Sequence, residues 1–162
     1  MPYTTAICPG SFDPITIGHL DIIRRSTKLF DRIIVVVMVN YKKKNTAVFS
    51  AEERMSLIRR CVKDMPNVEV DSYSGLLAEY AQQKGAVAIV KGLRALSDFE
   101  DEFQQALTNK RLNPGMETLF LSADASNMFL SSSIVKQVCA LGGDVTSFLP
   151  PEICEDVIKR LR

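Results

Sequence analysis

The sequence predicts an α/β fold: a Rossmann-like, doubly wound, five-stranded parallel sheet with helices on both faces. Three observations lead there. Short β-branched runs alternate with segments of helical period along the chain, the order that makes a parallel sheet. The run from Arg32 to Val39 is almost wholly apolar, as a strand buried on both faces must be. The chain of 162 residues, 46% hydrophobic, suffices for one domain, 1–162, with a substantial core. It carries no internal repeat, low-complexity tract or linker.

The elements follow in order. Thr5-Ala6-Ile7-Cys8 is a short apolar strand, and Leu20 to Leu29 has a helical pattern. After the 32–39 strand, Ser50-Ala51-Glu52-Glu53 is a capping box that opens a helix. The apolar stripe of that helix is Met55, Leu57, Ile58, Cys61 and Val62. Asn67 to Asp71 alternates as a strand, and Leu76 to Lys84 is a helix stopped by Gly85. Ala86 to Val90 is a buried strand ending at Lys91-Gly92. A helix from Asp98 to Leu112 follows, with Phe99, Phe103, Ala106 and Leu107 on one side. Asn113-Pro114-Gly115 ends that helix, and Glu117 to Leu121 is the fifth strand. Ser133 to Leu141 is helical and closes at Gly142-Gly143. Pro151 starts a last helix that runs to Leu161.

Composition narrows the function. A net charge of +1 gives no global field toward nucleic acid or anionic membrane. The basic run Lys42-Lys43-Lys44 and the pair Arg24-Arg25 have no interleaved aromatic residues to stack bases. No apolar run approaches the roughly 20 residues of a membrane span. The N-terminus lacks the basic and apolar regions of a signal peptide, so a cytoplasmic protein is expected. Cys8, Cys61, Cys139 and Cys154 lie far apart, with no Cys-x-x-Cys spacing. They read as buried small hydrophobes rather than disulfides or zinc ligands.

A ligand on such a sheet belongs at the carboxyl ends of the strands. The segments there are 9–19, 40–46, 72–77, 91–94 and 122–133, and they hold the polar, basic and glycine-rich residues. The most informative is Pro9 to His19. Gly10 and Gly18 let the backbone approach a ligand, Ser11 offers a hydroxyl, and Asp13-Pro14 fixes a turn. His19, the one histidine, sits at a helix start, where unpaired backbone N–H groups favour anions. By itself this loop is as consistent with a plain strand-to-helix turn as with a phosphate site.

The run Gly10-Ser11-Phe12-Asp13-Pro14-Ile15-Thr16-Ile17-Gly18-His19 resembles the nucleotidyltransferases that carry a Thr/His-x-Gly-His motif. The resemblance continues through Phe49-Ser50-x-Glu52-Glu53-Arg54 and Gly92-Leu93-Arg94-Ala95-x-x-Asp98-Phe99-Glu100. Ser131 to Lys136 and Gly143-Asp144-Val145-x-x-Phe148-Leu149-Pro150 extend it. Together these resemble the phosphopantetheine adenylyltransferase family over nearly the whole chain. The resemblance implies reversible transfer of the adenylyl group of ATP to 4′-phosphopantetheine, giving dephospho-coenzyme A and pyrophosphate. It implies direct in-line attack with electrostatic stabilisation of the α-phosphate, a task of positioning rather than covalent catalysis.

The resemblance also implies roles by position. His19, Lys43 and Arg94 would be catalytic. ATP would be held by Ser11, Phe12, His19, Gly92, Leu93, Arg94 and Glu102, and by Asn127, Met128, Phe129, Leu130, Ser131, Ser132 and Ser133. The acceptor would be held by Ser11, Lys43, Leu77 and Lys91, with Leu76 beside Leu77. Counting forward from Val39 favours Lys43 over Lys42 for the functional lysine, with Lys42 the alternative. Position 11 is more often threonine in the family, position 91 arginine and position 127 aromatic. Here Ser11 keeps the hydroxyl, and Lys91 keeps the charge without the bidentate fork. Arg94 also has an ordinary reading, a surface ion pair with Asp98. Mg²⁺ would be carried mainly on the ATP phosphates, since no acidic cluster looks like a metal cage. The resemblance further implies a homohexamer and feedback binding of coenzyme A, while the charge balance and hydropathy lead to the expectation of no nucleic-acid or membrane partner. Two alternatives stand beside it. One is an adenylyltransferase for another phosphorylated acceptor such as nicotinamide mononucleotide. The other is a non-catalytic nucleotide-binding module on the same fold.

Overall fold

The structure is a computed structural model that describes residues 2–40, 46–94 and 96–162, with the backbone alone at 96 and 97. The five expected strands are β1 (Thr5–Gly10), β2 (Arg32–Met38), β3 (Val68–Tyr73), β4 (Ala88–Leu93) and β5 (Glu117–Ser122). They form one sheet in the order β3-β2-β1-β4-β5, with every pairing parallel. The helices are α1 (Ile17–Ser26), α2 (Ala51–Val62), α3 (Leu77–Lys84), α4 (Leu96–Leu112), α5 (Ser132–Ala140) and α6 (Pro151–Leu161). A 3-10 turn at Ala125–Asn127 precedes α5.

The alternation of each central strand splits the core into two layers. Ala6, Cys8, Ile33, Val35, Val37, Ala88 and Val90 face one layer. There Ile23 of α1, Ile58 of α2, Val135 of α5 and Ile153 of α6 pack against them. Ile7, Ile34, Val36 and Ile89 face the other layer, where Ala78, Tyr80 and Ala81 of α3 close over them. β1 and β2 are covered on both sides, which is why their sequences are apolar throughout. Cys8, Cys61 and Cys139 are buried and Cys154 is half-buried, all as free thiols.

Near the site the structure differs from the sequence reading in two boundaries and in one helix face. α1 begins at Ile17 rather than Leu20, because Thr16 caps it. β4 runs on through Gly92 and Leu93, which pair with Leu121 and Ser122 of β5, so these two residues belong to a strand rather than a loop. The apolar side of α4 is not core: Phe99, Phe103 and Leu107 are 39%, 45% and 57% exposed. The Phe99 and Phe103 rings stack on each other at 5.3 Å, and Phe99 also lies against Phe120 of β5.

The chain leaves β1 toward β2 and β3, then crosses to β4 and β5 on the other side. The strand order therefore reverses between β1 and β4. In a doubly wound sheet the crevice for a ligand opens at that point, at the carboxyl ends of the strands.

Candidate active site

The loop after β1 lies at that reversal, and several buried contacts fix it. Phe12 adopts a left-handed backbone, φ +48°, which turns its ring down into the core. The next peptide, Asp13-Pro14, is cis. The Asp13 carboxylate is 5% exposed and draws three segments together. It accepts from the backbone N–H groups of Val48 (3.0 Å) and Phe49 (2.9 Å), and it pairs with Lys136 Nζ of α5 at 3.1 Å. Buried Arg54 of α2 donates to the Ser11 carbonyl at 2.8 Å, and the Ser132 hydroxyl donates to the Pro14 carbonyl at 2.7 Å. The loop is thus braced against both α2 and α5.

His19 is held by the residue that caps its helix. The Thr16 backbone N–H donates to His19 Nδ1 at 3.0 Å, while the Thr16 hydroxyl accepts from the His19 backbone N–H at 3.3 Å. This is a capping box with imidazole in the place usually taken by Glu or Gln. Because Nδ1 accepts a backbone proton, the ring's own proton resides on Nε2, which is left as a donor. Burial, and then the positive charge of Arg94, push the His19 pKa down to about 4. The ring is neutral at pH 7. The Phe12 ring meets it edge-on at 5.0 Å.

A cavity of about 450 Å³ opens in front of His19. Of the residues singled out from the sequence, Ser11, Phe12, His19, Lys91, Gly92, Arg94, Glu102, Asn127, Leu130, Ser131, Ser132 and Ser133 line it. Leu93, Met128 and Phe129 do not, and Met128 and Phe129 are exposed. Gly92 is required where it stands, since a Cβ there would come 2.9 Å from Ile22 Cγ1 of α1. At Gly18 a Cβ would make ordinary contacts, so close approach there is not forced by the protein itself.

Arg94 does make the ion pair with Asp98, Nε to Oδ2 at 2.9 Å. It also donates from Nη1 to the Leu130 carbonyl at 2.7 Å, which fixes the segment leading into α5. Ser131 caps α5 by accepting from the Ile134 N–H at 3.1 Å. The first backbone N–H groups of this helix lie at the cavity wall without intrahelical partners, an anion-binding arrangement. The neutral imidazole N–H, the helix start and the Arg94 charge therefore converge on one space.

A second cavity, about 600 Å³, lies on the α3–α4 side. Leu77 lines it with Leu76, Met38 and Gly75. The opposite wall is polar and comes from α4: Asp101, Gln104, Gln105, Thr108 and Asn109. The sequence reading missed this wall, because it exists only once α4 is laid beside α3. Pro9, Gly10, Ser11, Lys91 and Gln105 line both cavities. Lys43, with Lys42, lies outside the described residues.

Among the described residues no group of three or more His, Cys, Asp or Glu is placed to hold a metal ion. The carboxylates lining the first cavity are engaged: Asp21 with Arg25, Asp98 with Arg94, Glu102 with Lys91, and Asp124 with Ser126. No helix among the described residues is long and apolar enough to cross a membrane.

Comparison with known proteins gives the family and the fold. Residues 7–138 match the cytidylyltransferase-like family. The chain is 55% identical to phosphopantetheine adenylyltransferase of Clostridium tetani over 155 residues, 96% of either chain. It is 56% identical to that of Clostridium kluyveri, over 96% of this chain and 93% of the relative. Among solved structures it resembles a bifunctional NMN adenylyltransferase/ADP ribose pyrophosphatase from Francisella tularensis. The TM-score is 0.74 at 15% identity, covering 98% of this chain and 49% of the other. A putative nicotinate-nucleotide adenylyltransferase from Vibrio parahaemolyticus matches with TM-score 0.67 at 17% identity, covering 98% and 96%. At such identities these structures speak to the fold alone.

Proposed function

The chain belongs to the phosphopantetheine adenylyltransferase family, and from that premise we propose that it transfers the adenylyl group of ATP to 4′-phosphopantetheine. The products are dephospho-coenzyme A and pyrophosphate, and the reaction is reversible. The observation that carries this reading is the junction of the two cavities at Pro9–Ser11 and Lys91. A nucleotide in one and a phosphorylated arm in the other would bring their phosphates together there.

In this reading the terminal phosphate oxygen of the acceptor attacks the α-phosphorus of ATP in line. The bond from that phosphorus to the bridging oxygen breaks as the new one forms, and pyrophosphate leaves with the electron pair. His19 donates its Nε2 proton in a hydrogen bond to an α-phosphate oxygen, where charge builds in the transition state. The start of α5, with Ser131, Ser132 and Ser133, takes the β- and γ-phosphates. Arg94 contributes positive charge and holds this segment through Leu130. Gly92 borders the nucleotide, Glu102 meets its ribose and Asn127 borders the base, whereas Leu93, Met128 and Phe129, which lie off the cavity wall, are assigned to ATP by the family resemblance alone. Ser11 reaches both substrates, Lys91 and Lys43 bind the acceptor phosphate, and Leu77 contacts the pantetheine arm.

ATP chemistry calls for a divalent metal, and we assign Mg²⁺. It would ride on the nucleotide phosphates, neutralising their charge, since the cavity carboxylates are already engaged. The exposed stripe of Phe99, Phe103 and Leu107 supports self-association, for which we take the homohexamer of the family. Coenzyme A, which contains the product, is the feedback ligand in this reading. The site of action is the cytoplasm, without nucleic-acid or membrane partners.

The test is pyrophosphate release from ATP and Mg²⁺ with 4′-phosphopantetheine or nicotinamide mononucleotide as acceptor. Release with the first and not the second is expected. Preference for the second, or no release with either, would overturn the reading.

A further inference from the structure

Lys91 belongs to both cavities, whereas Glu102 lines the nucleotide cavity. The two side chains form an ion pair, Lys91 Nζ to Glu102 Oε2 at 3.0 Å, and they are 19% and 24% exposed. The contact is an ion pair and not a hydrogen bond, and Oε2 is buried with no hydrogen-bond partner among the described residues. A buried carboxylate oxygen satisfied by charge alone is under-satisfied. Its surroundings are otherwise arranged for anions, with His19, Arg94 and the start of α5 lining the same space. Glu102 would repel a phosphate. What it can accept from is a hydroxyl.

From this geometry we infer that the Lys91–Glu102 pair couples the two substrate sites, so that each substrate strengthens the binding of the other. The inference rests on the two-substrate reading above. A phosphate in the second cavity carries about 1.5 to 2 negative charges at neutral pH and draws the Lys91 ammonium toward itself. That leaves Glu102 Oε2 open to a nucleotide hydroxyl. In the other direction, a nucleotide hydroxyl that donates to Oε2 satisfies the carboxylate and frees the lysine for the acceptor. The cost of parting the pair is met once, by whichever ligand binds first. The coupling is therefore positive, and it must be equal in both directions.

The experiment is calorimetric titration of the full chain with 4′-phosphopantetheine, with and without saturating α,β-methylene-ATP, which cannot transfer its adenylyl group. The nucleotide analogue should tighten acceptor binding by about 5- to 150-fold, the usual span for coupled sites. Glu102→Gln keeps an oxygen acceptor for the hydroxyl and removes the charge. It should bind the acceptor about tenfold more tightly than wild type when nucleotide is absent. With the analogue present, the two proteins should bind the acceptor equally. If Glu102→Gln tightened binding equally in both conditions, plain repulsion would be the cause and the coupling would be overturned. Equal wild-type affinities with and without the analogue would overturn it without any variant. Acceptor binding without coupling sinks this inference alone, whereas no acceptor binding sinks the two-substrate reading as well.

Discussion

Thr16 holds His19 from two sides, its backbone N–H on Nδ1 at 3.0 Å and its hydroxyl under the His19 backbone N–H at 3.3 Å. The first contact fixes the tautomer and the second fixes the helix start. They are separable. Thr16→Val removes the hydroxyl and keeps the N–H. It should cost about 1 kcal/mol of stability as a lost cap, with kcat almost unchanged. His19→Ala removes the donor itself and should lower kcat by about 10²- to 10³-fold, with a smaller change in ATP affinity. Steady-state kinetics and ATP titration on both variants check this. A loss at His19→Ala confined to KM would mean that the ring anchors ATP without stabilising the transition state.

The depressed His19 pKa makes stability depend on pH. The folded value is about 4 against 6.5 for a free imidazole, so the unfolded chain binds the proton first as pH falls. The stabilisation is fully present above about pH 6.5 and is lost progressively down to about pH 4, amounting to at most about 3 kcal/mol. Urea unfolding of wild type and His19→Gln across pH 4 to 7 measures it. The stability difference between the two should shrink as the pH is lowered. A constant difference would contradict the neutral, half-buried imidazole.

Gly92 has no room for a methyl group, since a Cβ would stand 2.9 Å from Ile22 Cγ1. Gly92→Ala should destabilise by about 1 to 3 kcal/mol through overpacking between β4 and α1. Shortening the opposing side chain with Ile22→Ala should return part of that loss in the double variant. Strictly additive losses would mean that the strain lies elsewhere.

Asp13 serves three donors from segments distant in sequence. Asp13→Ala leaves two backbone N–H groups and the Lys136 ammonium without their acceptor, and should cost about 3 to 5 kcal/mol. Lys136→Met leaves the two backbone bonds in place and should cost less. Thermal unfolding of both variants gives the ranking, and the reverse order would contradict the role given to the carboxylate.

What the sequence made legible, and what it hid, follows from range. The strands and their order of appearance were readable because β2 is apolar at every position from Ile33 to Val37 and buried on both faces. The Ser50–Glu53 capping box was readable because it closes within four residues. The equivalent box at Thr16 was missed, because its third member is His19 rather than Glu or Gln. Gly92 and Leu93 fall in the segment 91–94 that the sequence places after the strand, because the apolar run stops at Val90. Their pairing with Leu121 and Ser122 is set by β5, nearly thirty residues later. Asp13 was read as a turn former, and nothing near it in sequence announces Val48, Phe49 or Lys136. The α4 wall of the second cavity was hidden for the same reason. The Phe99, Phe103 and Leu107 stripe had the right period for a core face, but periodicity cannot distinguish core from an exposed apolar surface.

The most direct test of the central claim is the fate of the α-phosphorus. Incubation with ATP bearing a chiral α-thiophosphate, 4′-phosphopantetheine and Mg²⁺ should yield the thio analogue of dephospho-coenzyme A with inverted configuration. That is the outcome of one in-line displacement between substrates seated in the two cavities. Absence of that product, or retention of configuration, would contradict the account.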